Sequence, residues 1–336
     1  MEIKQLNSMI NVNSKIYVAC PANFASGGPE LLHQLVYRLN KLGLNAFMYY
    51  TSVEQLDPVH SEYKFYQNPF VLEIEDNRTN ILVAPEVNTS LLYQFSKVQK
   101  IIWWLSVDNY ITSLPRYNLL KSLIKMIFSK KKYFSFKARG HVKHFVQSYY
   151  AYDYLKKNNI NEADISYLSD YLSSDFLKNN IDVDLTKKND IVAYNPKKGF
   201  EFTKKLIENY SSVRFVPIEN MSREQVIALL KSAKVYIDFG YHPGKDRIPR
   251  EAAILGCCVI TNKKGSAAFF NDVKIPDEYK FDEKIPNVYD VVIEKIQECF
   301  SAFELNYNNF ESYRKMILEE ENLFVKNVSE IFCAEG

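Results

Sequence analysis

Short apolar runs recur along the chain, and each is followed by a stretch in which apolar residues return every three or four positions. Lys15–Cys20, Asn45–Tyr50, Asn80–Ala84, Lys100–Ser106 and His144–Gln147 are apolar on both faces, the pattern of strands buried in a parallel sheet. Between them Leu31, Leu35, Leu39 and Leu42 line one face of a helix that Gly43 ends, and Ser148–Asn158 is predicted as another helix. The polar stretch Asn179–Asn189 has no periodicity and reads as a linker. The alternation then resumes, with strands at Asp190–Tyr194, Val213–Val216, Val235–Asp238 and Cys258–Thr261. Helices are predicted at Gly199–Asn209, at Ser222–Ser232 with Ser222 as N-cap, and at Pro249–Leu255. Helical patterns from Val288 to Phe303 and from Asn308 to Phe332 follow. The fold class is therefore α/β, with two doubly wound, Rossmann-like halves. The expected domains are residues 1–180 and 181–336, the last helix being free to pack back on the first.

Composition narrows the class. The chain has 336 residues, 47% hydrophobic and 24% charged, which excludes wholesale disorder and suits two domains. No apolar run approaches the ~18 residues of a membrane span. The first residues lack an apolar stretch with a cleavage site, so secretion is not expected. Five cysteines without C-x-x-C spacing point to reduced thiols in a cytosol. His141 and His144 read as surface residues of a basic loop rather than a zinc pair. Trp103 and Trp104 lie inside an apolar run and are expected in the core.

Net charge is only +2, but its distribution is uneven. Between Asp108 and Asp153 there is no acidic residue, while Arg116, Lys121, Lys125, Lys130, Lys131, Lys132, Lys137, Arg139 and Lys143 are all basic. From Asn118 to Phe128, Lys121 and Lys125 share one helical face and the other faces are mostly apolar. An anionic membrane surface fits this block better than a packed helix with a solvated loop, or than single-stranded nucleic acid. No nucleic-acid partner is expected.

In doubly wound folds ligands sit beyond the carboxyl ends of the strands. The densest chemistry lies in one such loop, within Asp238–Ile260, where Gly240 and Gly244 accompany His242, Lys245, Asp246, Arg247, Arg250 and Glu251. Lys245 and Arg247, near a helix start, suit a diphosphate. Glu251, an acceptor when ionised, suits sugar hydroxyls. A nucleoside-triphosphate loop is excluded, because Gly240 to Gly244-Lys245-Asp246 is one residue short and lacks the hydroxyl that binds magnesium. Asp108, just after the strand IIWWLS, is the best candidate for a general base; Glu30 and Glu86 are weaker ones.

The Gly-containing loop, Glu251, Ala252-Ala253, Leu255-Gly256-Cys257 and the strand after them resemble the C-terminal signature of GT-B glycosyltransferases. That resemblance implies two Rossmann-like domains facing across a cleft, with a nucleotide-sugar donor held mainly by the second. Glu251 matches the second of two glutamates eight positions apart in the retaining branch; Pro243 replaces the first, which leaves retaining against inverting open. Asn195, Lys197 and Lys198-Gly199 resemble the strand-end motif that grips the diphosphate, and Gly27-Gly28 the glycine-rich first loop. The resemblance implies donor contacts from Gly27, Gly28, Asn195, Lys197, Gly199, His242, Gly244, Asp246 and Glu251. Lys198, Lys245 and Arg247 would stabilise the leaving diphosphate. No metal or other cofactor is expected, since Asp182-Val183-Asp184 has D-x-D spacing but falls in the linker. The implied acceptor is a glycan or lipid-linked sugar of bacterial surface polysaccharide, reached at the inner face of a membrane by a cytoplasmic enzyme. A nucleotide-sugar 2-epimerase of the same fold and a non-catalytic nucleotide-sugar-binding protein are the alternatives.

Overall fold

The computed structural model describes residues 13–51, 53, 57–114, 134–136, 142–180 and 183–333. Lys121, Lys125, Lys130, Lys131 and Lys132 lie outside the described residues, as do His141 and Asp182. The chain forms two units, Met1–Asp170 with Asn322–Gly336, and Tyr171–Glu321. Among the described residues no helix is long and apolar enough to cross a membrane.

The first unit holds β1 (Lys15–Pro21), α1 (Gly27–Lys41), β2 (Asn45–Thr51), β3 (Phe70–Val71), β4 (Ile81–Pro85), β5 (Gln99–Trp104), α2 (Val107–Ser113), β6 (Val142–Val146), α3 (Tyr149–Lys157) and β7 (Ile165–Tyr167). Its seven strands run β3-β2-β1-β4-β5-β6-β7, and every pair is parallel. Ile16, Val18, Ile81, Val83, Ile101 and Ile102 have no exposed surface, as expected of strands covered on both faces. Trp103 and Trp104 are equally buried, and burial obliges their indole N–H groups to find acceptors. Trp103 donates to the Leu168 carbonyl and Trp104 to His144 Nδ1, each at 3.0 Å. His144 is therefore no surface residue: it sits buried in β6, where the Trp104 bond fixes its tautomer.

The second unit holds α4 (Ser174–Asn179), β8 (Asn189–Tyr194), α5 (Phe200–Asn209), β9 (Arg214–Pro217), α6 (Arg223–Ser232), β10 (Ala233–Asp238), α7 (Arg247–Ile254), β11 (Cys258–Asn262), β12 (Lys280–Phe281), α8 (Val288–Ser301), α9 (Phe303–Asn308) and the start of α10 (Glu311–Phe332). Its parallel strands run β12-β11-β10-β8-β9. Ser222 closes a reciprocal capping box with Gln225 at the start of α6. From Asn322 onward α10 belongs to the first unit, where Phe332 meets Phe145 edge-on at 5.7 Å. Lys188 ties three chain segments of the second unit together. Its buried ammonium donates to the carbonyls of Leu230, Ala233 and Leu255 at 2.8, 2.9 and 2.7 Å. Two of these lie at the ends of α6 and α7, where helix carbonyls lack partners. Burial lowers the Lys188 pKa, and the nearby thiols of Cys257 and Cys258 oppose that shift.

Candidate functional site

Strand order picks out one point in the second sheet. β8 leads to β9 on one side, while the next strand, β10, pairs with β8 on the other. At such a reversal the two loops leaving the carboxyl ends diverge and open a crevice for ligand. Here those loops are Asn195–Gly199 and Phe239–Asp246, and they press against each other. Gly199 has φ +60°, and a Cβ there would overlap the Phe239 carbonyl. A Cβ on Gly240 would stand 2.5 Å from the Lys198 Cβ. Glycine at both positions is what lets the loops meet. Each loop feeds a helix, α5 behind Gly199 and α7 behind Asp246, so two helix N-termini start at this junction.

The side chains there form a charged chain. Lys198 Nζ lies 2.7 Å from Asp246 Oδ1, and His242 Nδ1 lies 2.9 Å from Asp246 Oδ2. The ring's other nitrogen, Nε2, lies 3.4 Å from the Asp238 main-chain carbonyl and 3.8 Å from its Oδ1. Asp238 also accepts from the Gly240 N–H at 3.0 Å and the Tyr236 hydroxyl at 3.1 Å. Burial alone would pull the His242 pKa down; the bond to Asp246 and the charges of both aspartates outweigh it and hold the pKa above its ordinary value. Burial pushes Asp246 up, but His242 and Lys198 bring it below the usual carboxylate value. Asp238 stays raised, because burial exceeds what His242 returns. Asp238, His242 and Asp246 have metal-ligand chemistry, with ligand atoms within 4.8 Å of one another. Yet Lys198 and His242 already balance the carboxylates, and the ring faces one aspartate with each nitrogen. The arrangement fits an ion-pair network.

The remaining cations of this loop are spent differently. Lys245, expected to face a diphosphate, is buried with its Nζ 2.7 Å from Glu320 Oε1. Arg250, with no exposed surface, reaches Glu320 Oε2 at 2.6 Å and the Lys245 and Asp246 carbonyls at 3.1 and 3.2 Å. These pairs anchor the loop to α10. Arg247 and Glu251 are half-buried on α7, and Gly244 is buried, its carbonyl accepting from Ser266 Oγ at 2.6 Å. Asn195 Oδ1 accepts from the Lys197 N–H at 3.0 Å, folding the first loop, and leaves Lys197 exposed. Asp238 and Glu320 were missed in the sequence. A strand-end aspartate was a readable signal for the first; nothing local to Glu320 marks it.

In the first sheet the order reverses between β1 and β4. Gly27 and Gly28 open α1 behind β1, and the Tyr63 hydroxyl fixes their approach: it donates to the Ser26 carbonyl at 2.8 Å and accepts from the Ser26 N–H at 2.9 Å. Glu86, just after β4, is fully buried and accepts from the Leu105 N–H at 2.9 Å. Burial pushes its pKa up to about 7, against the backbone N–H groups of Leu105, Ser106 and Glu86 itself. Asp108 lies in the first turn of α2 and accepts from the Tyr150 hydroxyl at 3.1 Å. Burial raises its pKa and Tyr150 opposes the shift.

No family model and no curated protein matches the sequence. Solved structures do. The chain is similar to sucrose-phosphate synthase from Thermosynechococcus elongatus over 94% of its own length and 97% of that chain, with a TM-score of 0.62 and 13% identity. It is similar to HepE from Anabaena, solved in complex with UDP, over 95% of its length and all of that chain, at TM-score 0.58 and 9% identity. WaaG, a glycosyltransferase involved in lipopolysaccharide biosynthesis, matches over 95% of this chain and all of its own, at TM-score 0.55 and 12% identity. At such identities the likeness is one of fold. The chain has the GT-B fold, built from two parallel α/β units.

Proposed function

We propose that this protein is a glycosyltransferase that moves a sugar, a hexose in our reading, from a nucleotide-sugar donor to a glycan or lipid-linked acceptor. The observation that carries the proposal is the junction of the β8 and β10 loops, where Gly199 and Gly240 set Lys198 beside two helix N-termini at a strand-order reversal. HepE, solved in complex with UDP and with UDP-glucose, supports a nucleotide-sugar donor. WaaG's role supports a place in bacterial surface-glycan assembly.

In the proposed reaction the bond between the sugar and the diphosphate breaks, and a bond to an acceptor hydroxyl forms. Negative charge grows on the departing nucleoside diphosphate. Lys198 and the N-termini of α5 and α7 meet that charge, which lowers such a barrier. Asp246 holds the Lys198 ammonium in place until the diphosphate arrives. No metal is required, because fixed cations and backbone dipoles do its work. The hydroxyl's proton passes to a base; Asp108 is our candidate for an inverting enzyme, and its raised pKa suits that task.

Melting with and without UDP, GDP or ADP tests the donor site, since a ligand of the native state raises the melting point. One of the three should do so with or without magnesium, and Lys198→Ala should remove the shift. No shift with any of them overturns the proposal, and so does isomerisation of a nucleotide sugar incubated alone. Peripheral membrane attachment through the 116–143 block belongs to the same reading. Reversing the charges of Lys130, Lys131 and Lys132 should reduce sedimentation with anionic vesicles; an unchanged fraction returns that block to ordinary surface.

A further inference from the structure

The first unit contains a cavity of about 260 Å³ beside α1 and the 3₁₀ helix Ser61–Tyr66. Its floor is His33, only 1% exposed, whose Nε2 lies 3.2 Å from the Tyr50 hydroxyl and Nδ1 3.3 Å from Asn68 Nδ2. Burial drops the His33 pKa to about 4, so the floor is uncharged at neutral pH. One wall is aromatic: Tyr63 packs 4.6 Å from the His33 ring, and Phe70 leaves 41% of its surface open. Asp57 and Lys64, paired at 2.8 Å, stand more than half exposed at the rim. Gln67 completes the lining with φ +51°, a left-handed conformation that costs a non-glycine residue energy and gathers at functional sites.

We propose that this cavity binds a single pyranose ring, the acceptor sugar of the transfer proposed above, on which reading its role as an acceptor subsite rests. The volume falls below the ~300–1,000 Å³ of pockets for drug-sized ligands, too little for a nucleotide sugar and suited to one ring. The lining selects the chemistry. The Asp57–Lys64 pair carries no net charge and so offers neither an anion nor a cation a net attraction, while a wholly apolar ligand strips water from both without replacing it. A neutral, polar pyranose suits such a lining. Its C–H face covers Phe70 and Tyr63, while its hydroxyls donate to Asp57, accept from Lys64 and do either with the Gln67 amide. Tyr63, which grips both polar atoms of the Ser26 backbone, ties this wall to the glycine-rich start of α1.

Saturation-transfer NMR of the full chain with the methyl glycosides of glucose, galactose and N-acetylglucosamine tests the proposal. At least one glycoside should receive saturation, strongest on one face of its ring, and excess UDP should leave the signal in place. Phe70→Ala and Gln67→Gly should each weaken it five-fold or more. Glycine suits φ +51°, so Gln67→Gly should keep or raise the melting temperature while losing the sugar, which a purely structural role for Gln67 does not explain. No saturation of any glycoside, signals unchanged in both variants, or displacement by UDP each overturn the site. If UDP binds and no glycoside does, the cavity proposal fails and the glycosyltransferase reading stands. If glycosides bind as described and no nucleoside diphosphate does, the saccharide site stands and its acceptor role fails.

Discussion

Groups of similar burial carry opposite electrical characters in the two units. In the first, His33, Glu86 and His144 are 1%, 2% and 2% exposed, and the hydrogen bonds they make are to neutral groups. Burial drives both histidines down to about 4 and Glu86 up to about 7, so at neutral pH the histidines are uncharged and Glu86 is poised. In the second, His242, Glu320 and Arg250 are 0%, 4% and 0% exposed, yet each faces an opposite charge within 3 Å. Depth therefore does not decide whether a group is ionised; the neighbour does. The difference matches the chemistry proposed for each unit. A leaving diphosphate calls for fixed charge, whereas sugar hydroxyls are best met over an uncharged floor.

The contrast can be broken most forcefully at Glu320. Glu320→Ala leaves Lys245 and Arg250 buried without their shared carboxylate, and urea denaturation should show a loss of about 3–5 kcal/mol. Gly199→Ala forces a side chain into left-handed backbone against Phe239. A loss of about 1–3 kcal/mol is expected, together with loss of nucleoside diphosphate binding. Next comes Lys198→Ala, for which calorimetry should find affinity for the nucleoside diphosphate that binds reduced about ten- to a hundred-fold, with Lys198→Arg in between. Smallest and most diagnostic are two pH effects. Glu86 binds its proton more tightly folded than unfolded, so stability should fall as pH rises from 4.5 to about 7 and then level off. Glu86→Gln, which keeps an oxygen for the Leu105 N–H, should flatten that slope. His242 also holds its proton more tightly when folded, but there the charged form is the paired one. Its contribution should be complete below pH 6.5 and fade as pH climbs through the raised folded value, and His242→Asn should abolish that fading. A His242→Asn profile identical to the parent's would erase the distinction between the units.

The parallel strands were legible because burial on both faces leaves an unbroken apolar run, as in Lys15–Cys20 and Asp190–Tyr194. The strands β3, β7 and β12, two or three residues each, are too short to print such a pattern. Within the site, the loop after Asp238 stood out by composition and Lys198-Gly199 by its resemblance to a strand-end motif, and the structure joins them. Lys245 did not follow its expected use, because its partner Glu320 lies 75 positions along the chain, and long-range pairing leaves no local mark. His144 misled for the same reason: its partner is Trp104, on a neighbouring strand. The cavity around His33 was invisible, since it is assembled from α1, a 3₁₀ helix and β3 through contacts that no spacing rule anticipates.

The course of α10 bears on how the molecule is made. Its residues from Asn322, including the fully buried Phe324, Val328 and Phe332, belong to the unit that begins the chain. A ribosome delivers them only after every residue of the second unit. Domains generally fold in the order in which they emerge. Here the earlier unit must wait with part of its apolar interior uncovered until translation has passed Phe332, while the later one can finish first. Expression of residues 1–170 alone should accordingly yield an aggregation-prone product, one that a separately supplied 322–336 peptide partly rescues.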